Sequence, residues 1–498
     1  MYSRIFFVFA LSALLFAINS CKSSPTKTET TSSATSVTAP TAEAGVREAR
    51  ILAEQVYAFG YPLVIMDVTK DMMTHSAMAT ESAAPLNQFV HKKTSPDDST
   101  TDVASPNADT LYSSAWLDLS NGPVVLSLPD LGNRYYLMQM MSAWTDVFAN
   151  PGSRTTGNGK IDFVVTGPNW HGTVPVGLQQ IKAPTNDVWI IGRTQTNGPR
   201  DYDKVHALQQ KYTLIPLSSW GQTYVPPSDV RVKEGVNMTQ TPVDQVEALS
   251  GLDFFTRMAE SMKRNPPTDQ DGLMLEKMKR IGLVPGRSFD AAKLSPDLRA
   301  ALNEGAIAAL NKIINAAKNP KSEKSGGWAY NFDRGRYGTN YSNRATVAKT
   351  ELGASLPQDT TYARAAYDSR ARRLNGKNNY VIHFAKGKLP PVEAFWSVTM
   401  YNDKFAFVKN PLNKYAVGSN GPLVFNKDGS LTLFVQYQPP AKRYLANWLP
   451  TPQGNFALTA RFYWPKKEIL NRSWRMPGVQ QIEQPLPQKQ LSQNETFP

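Results

Sequence analysis

In the stretch Ser105-Pro106-Asn107-Ala108-Asp109-Thr110-Leu111-Tyr112, an amide and a carboxylate two residues apart stand at the entrance to an alternating run. Ser-Pro-Asn-x-Asp is turn chemistry, because Asn and Asp side chains accept from backbone N–H groups two residues on. The same residues could furnish a site. Downstream, Trp144-Thr145-Asp146 repeats the pairing of an aromatic ring with a carboxylate, and Arg193 closes another strand-like run. Gathered by a fold, Asn107 and Asp109 would anchor a polar ligand, with Asp146 beside them. Tyr112 and Trp144 would wall it, and Arg193 would donate to an anion or a hydroxyl. A small polar molecule or a glycan suits such a pocket. Two carboxylates held about 5 to 9 Å apart would instead perform acid/base glycoside chemistry, which makes Asp109 and Asp146 a candidate hydrolase pair. A third reading is structural: these residues set turns and packing and bind nothing.

Other chemistry is sparse. The five histidines are His75, His91, His171, His206 and His383, no two at ligand spacing on one helix, and Cys21 is the sole cysteine. A zinc site local in sequence is therefore excluded, and no motif names a cofactor or a metal. His383, inside the apolar run Val381-Ile382-His383-Phe384, reads as a satisfied core histidine. In Leu458-Thr459-Ala460-Arg461-Phe462-Tyr463-Trp464, Thr459, Arg461 and Tyr463 share one face. A mid-strand charge faces water or lines a cavity, since an unpaired buried guanidinium is costly; solvent is the preferred reading.

The elements that must position these residues follow from periodicity. A helix begins near Ala44, with Val46, Ala49, Ala53 and Val56 on one stripe; Gly60-Tyr61-Pro62 should break or kink it before a second helix to Met73. From Thr110 the period changes to two. Thr110–Leu119, Val124–Leu128 and Arg134–Met141 form a three-strand meander, followed by strands at Asp162–Thr166 and Asp187–Arg193. Between about Pro226 and Leu356 strands give way to helices, the longest at Asp297–Ala317. Strands return at Tyr380–Phe384, Ala394–Tyr401, Phe405–Val408, Leu431–Tyr437 and Phe456–Trp464. The fold class is α+β and predominantly β: two antiparallel β-sandwich or jelly-roll-like domains with a helical connecting region. The organisation is an N-terminal helix plus sandwich over 44–225, a helical region over 226–356, a second sandwich over 357–480 and a flexible tail over 481–498, fraying from about Pro477.

The chain opens with Arg4 and an apolar run from Ile5 to Ile18, too short to span a bilayer and of signal-peptide length. The run ends at Ile18-Asn19-Ser20-Cys21, which resembles the lipobox of bacterial lipoproteins. That resemblance implies a signal peptide over 1–20, lipid attachment at Cys21 and anchoring in the cell envelope, on a periplasmic or outer-membrane face. Residues 21–43, rich in Ser, Thr, Ala and Pro, form a disordered tether with a reach of roughly 25 Å. Net charge is +13, spread over the body. Nucleic acid is not an expected partner, since no recognition motif accompanies the charge.

Longer motifs carry a family resemblance. "SPNADTLYSSAWLDLS", "RYYLMQMMSAWTDVFANPGSRTTG" and "VWIIGRTQTNGPRDY" resemble DUF1254 proteins. "YVIHFAKGKLPPVEAFWSVTMYN", "NPLNKYAVG", "ANWLPTP" and "RFYWP" resemble DUF1214 proteins, which commonly follow in one chain. The resemblance implies two sandwich-like domains with helices between them and no settled activity. Asn107, Asp109, Tyr112, Trp144, Asp146, Arg193 and Asn197 fit the first pattern; Tyr337, Arg344, His383, Trp396 and Tyr401 fit the second. The turn Asp368–Leu374 departs from it, with Ala and Arg where relatives favour Gly and uncharged residues.

Overall fold

The structure, a computed structural model, describes residues 42–100 and 105–482. The signal segment, Cys21, the tether up to residue 41 and the tail from residue 483 lie outside the described residues.

Each half of the chain forms two facing sheets, because its strands carry apolar side chains on alternate positions and bury that face against the other sheet. In the first half, Thr110–Asp118 and Tyr136–Ser142 flank Asp187–Gln195, all antiparallel. A second sheet centred on Val124–Leu128 covers them. Leu117, Leu126, Met138, Val165 and Ile190 meet between the layers. In the second half, Phe456–Pro465 lies between Thr360–Ala365 and Val392–Asn402, and the sheet around Asn379–Phe384 and Leu431–Gln436 packs on it. The α+β architecture of two sandwiches and a helical region thus matches the sequence reading.

Several elements depart from expectation for identifiable reasons. The first helix runs unbroken from Ala42 to Met73 through Pro62. Proline deprives a helix interior of one hydrogen bond, about 3 kcal/mol. Here Phe59, Tyr61, Leu63, Val64 and Ile65 are fully buried around it, and tertiary packing outweighs the local penalty. This helix is long and apolar enough to cross a bilayer, but 72% of that window is buried. It is the centre of a bundle with Gly251–Met262, Pro296–Lys318 and Tyr341–Thr350, not an appendage of the first sandwich. Strands also occur where only helices were expected: Glu323–Ser325 and Trp328–Tyr330 extend the second sandwich. Residues 405–408 form no strand, and Ala416–Gly418 pairs in their stead. Beyond Pro477 the chain remains in a sheet, with Gln480–Ile482 paired to Asn379–Val381.

Candidate functional site

The two sandwiches meet along the faces that carry Tyr112 and Arg193 on one side and Arg461 on the other. Register places Tyr112 opposite Arg193, Tyr362 opposite Arg461, and Arg364 opposite Thr459. Alternation then sets Tyr362 and Arg364 beside Thr459 and Arg461 on one face, directed at the first sandwich. A third wall comes from the segment after the Tyr341–Thr350 helix, with Glu351, Gly353 and Ser355, joined by Arg334. Together they line a chamber of about 140 Å³ that is open to solvent on one side, which Asn107 also lines.

Its charges are unusual. Arg193, Arg334 and Arg461 are buried, and Arg364 is half-exposed. Arg334 and Arg364 share Glu351, at 3.1 and 3.4 Å. Burial would push the Glu351 carboxyl up; the guanidiniums of Arg334 and Arg364 outweigh that and hold it below the ordinary range. Arg193 and Arg461 have no carboxylate within ion-pair distance among the described residues. Arg193 donates to the Tyr112 hydroxyl at 3.3 Å, Gln139 Oε1 at 3.5 Å and the Gly353 carbonyl at 3.3 Å. Arg461 donates to Thr399 Oγ1 and the Tyr401 hydroxyl, each at 2.6 Å, and to the carbonyls of Ser105 and Pro106 at 3.1 and 3.3 Å. Burial would push the Tyr112 phenol up as well, but Arg193, with Arg461 further off, holds it below the ordinary tyrosine value. Arg334 and Arg461 both lie over the Tyr362 ring, 4.3 and 5.6 Å from its centre. Arg334 Nε, Ser355 Oγ and Thr459 Oγ1, on chamber-lining residues, are buried without a hydrogen-bond partner.

Backbone geometry fixes the third wall. Gly353 has φ +89°, and a Cβ there would stand 2.8 Å from Ile191 Cδ1. Only glycine brings its carbonyl so close, where it accepts from both Arg193 and Gln139.

Asn107 and Asp109 do both things asked of them. Asn107 Oδ1 accepts from the Asp109 N–H at 2.7 Å, which closes the turn. Its Nδ2 donates to the Tyr463 hydroxyl at 3.0 Å, and that hydroxyl donates to Asp109 Oδ2 at 2.9 Å. Ser397 Oγ donates to the same oxygen at 2.6 Å. Asp109 also borders a second, larger cleft of about 910 Å³ between the sandwiches. Lys414 lines that cleft, with its amine pushed down to about 8 by burial and donating to the Leu445 and Ala446 carbonyls.

The structure brings Asn107, Asp109, Tyr112 and Arg193 together and leaves Trp144 and Asp146 elsewhere. Asp109 pairs with Thr196 and Asp146 with Ser142, which faces Val188. Eight residues of strand separate those points, roughly 25 Å at about 3.3 Å per residue. The paired-carboxylate hydrolase reading therefore has no geometric basis. Trp144 is a packing residue, its ring 4.6 Å from that of Phe59 and its N–H on the Asn265 carbonyl. Asp146 receives Arg344 at 3.3 Å and the Tyr337 N–H at 3.0 Å. Burial raises its carboxyl, with Arg344 opposing. Both residues fasten the first sandwich to the bundle. Two further expectations are corrected. Arg461 is 4% exposed and lines a cavity, where solvent was preferred. His383 is exposed on its sheet and bonds Thr432 Oγ1, so it is not a core histidine. Among the described residues no group of three or more His, Cys, Asp or Glu side chains is placed to hold a metal.

Comparison with known proteins agrees with this division. Residues 86–216 match the protein of unknown function DUF1254, and residues 359–467 match DUF1214. The chain pairs a DUF1254 domain with a DUF1214 domain. The crystal structure of the VPA0106 protein from Vibrio parahaemolyticus superposes with a TM-score of 0.66 at 22% identity, over 87% of this chain and all of that one. That likeness concerns the fold. A structure from Burkholderia cenocepacia aligns at a TM-score of 0.40 and 12% identity, covering 88% of this chain and 94% of its own. No functionally curated protein matches the chain. The chamber takes Asn107, Tyr112 and Arg193 from the DUF1254 domain and Tyr362, Arg364, Thr459 and Arg461 from the DUF1214 domain. Arg334, Glu351 and Gly353 lie between the two matched segments. Sequence reasoning missed those three, together with Tyr362 and Arg364. The Thr459/Arg461/Tyr463 alternation was the one local signal pointing to the opposing wall.

Proposed function

We propose that this protein is a lipid-anchored component of the cell envelope that binds a small organic anion in the chamber between its DUF1254 and DUF1214 domains. One observation carries the binding reading: Arg193 and Arg461 are buried with no carboxylate within ion-pair reach among the described residues. A buried guanidinium with no carboxylate in contact costs several kcal/mol, and two of them lining one space support an anion there. The test is thermal denaturation of the full mature chain with acetate, butyrate and benzoate, against the matching neutral amides at equal ionic strength. The acids should raise the melting temperature saturably, by the equivalent of about 2.7 kcal/mol at 100 times Kd, and the amides should not. A melting temperature unmoved by every acid would leave a structural role and defeat the reading.

Envelope anchoring rests on the apolar run ahead of Cys21 and its lipobox-like ending. In cells fed an alkyne-tagged fatty acid, the protein should take up label and sediment with membranes. Cys21→Ser should remove both properties while leaving the secreted body folded. Label retained by Cys21→Ser would place the modification elsewhere.

A further inference from the structure

The charges around the chamber specify more than an anion. Among the described residues, four guanidiniums (Arg193, Arg334, Arg364 and Arg461) line it against one carboxylate, Glu351. Asp109 supplies a second negative charge from just behind the Tyr463 hydroxyl. The sum leaves two positive charges in excess. Arg193 and Arg461 are the two guanidiniums with no carboxylate in ion-pair contact among the described residues, and they project from opposing sandwiches. Each guanidinium is a planar fork whose N–H groups now rest on neutral protein acceptors, and a planar carboxylate is the stronger geometric match for it. A space of about 140 Å³ admits a molecule about the size of benzene.

Resting on the anion-binding reading above, we propose that the ligand is a short aliphatic dicarboxylate, one carboxylate engaged by Arg193 on the first sandwich and the other by Arg461 on the second. Such a molecule spans the junction. It gives Arg193 and Arg461 a carboxylate each, where a monocarboxylate leaves one of them on neutral acceptors alone. A compact dianion such as phosphate offers a single centre, which cannot present a planar carboxylate to each guanidinium.

The experiment is calorimetric titration of the full mature chain with succinate, butyrate and inorganic phosphate at constant ionic strength and pH 7.5. Succinate should bind at least about tenfold more tightly than butyrate, its chain-length match with one charge, and more tightly than phosphate. Arg461→Gln should reduce the succinate preference over butyrate to threefold or less. Arg364→Gln provides an independent check on a half-exposed residue, whose replacement leaves the interior packing intact. Removing one positive charge at the rim should lower succinate affinity by a larger factor than butyrate affinity.

Equal affinity for succinate and butyrate overturns the dicarboxylate assignment and leaves the anion chamber standing. Tighter binding of phosphate overturns it in favour of a compact dianion. Heat from none of the three, under conditions where the protein is shown to be folded, removes the anion-binding reading and this inference with it.

Discussion

Arg193→Met should make the protein more stable and unable to respond to anions. The side chain is 6% exposed, and its three hydrogen bonds span 3.3 to 3.5 Å, the weak end of the range. Three more guanidiniums line the same small space. Methionine has a similar reach, fills irregular volume and removes the buried charge. The Gly353 carbonyl keeps its bond from Gln139 Nε2 at 3.1 Å. Exchange of a poorly compensated buried ion for an apolar side chain stabilises by about 1–3 kcal/mol. A gain of that size in urea melts, together with loss of the carboxylate-dependent shift, is the signature of a site maintained against stability. A loss of about 3 kcal/mol or more would make Arg193 a strut, and the chamber an accident of packing.

Asp187→Ala should have a large effect of opposite sign. Asp187 is 3% exposed and receives Lys70 at 2.7 Å, Arg264 at 2.9 Å and Asn265 Nδ2 at 2.8 Å. Lys70 comes from the long first helix and Arg264 from the end of the Gly251–Met262 helix, so the carboxylate fastens the bundle to the first sandwich. Breaking a buried network by removing its anion costs about 3–5 kcal/mol. The pH dependence has a definite sign. Burial pushes the Asp187 carboxyl up, but Lys70 and then Arg264 outweigh it, and its folded value lies below the ordinary one. Its contribution is complete above the unfolded value of about 3.9 and is lost as pH falls through the folded value. The gap between urea melts of parent and variant should be full between pH 5 and 8 and begin to narrow only as pH falls past about 3.9, closing further as the more acidic folded value is passed. A gap constant down to pH 3 would show that Asp187 acts by packing alone.

Local pattern exposed some of this architecture and hid the rest. The three strands between 110 and 142 and the Pro296–Lys318 helix were legible because strict alternation, a Ser295 cap and a following Pro320 agree with the final fold; their expected meander is not formed, since Val124–Leu128 lies in the facing sheet and Asp187–Gln195 inserts between the other two. The turn made by Asn107 was legible because its hydrogen bond is to a neighbour. Trp144 and Asp146 misled, since an aromatic beside a carboxylate looks the same in sequence whether it faces a ligand or a helix. Their partner Arg344 sits on Tyr341–Thr350, a helix of β-branched and polar residues with weak intrinsic propensity, held by Ala345 and Ala348 against the bundle. Arg461 was ambiguous for a different reason. Period two assigns a face, but whether that face meets water or a second domain is decided more than 260 residues away, at Tyr112 and Arg193.

The chamber draws its walls from three stretches of chain, and no single one of them holds a complete set of donors. Gene fission between the two domains would therefore divide that set between two fragments. A ligand bound there as proposed would act as a clasp, resisting any separation of the halves it touches. Selection for such a ligand would then be selection for covalent union, a physical reason for the two domains to be inherited as one polypeptide.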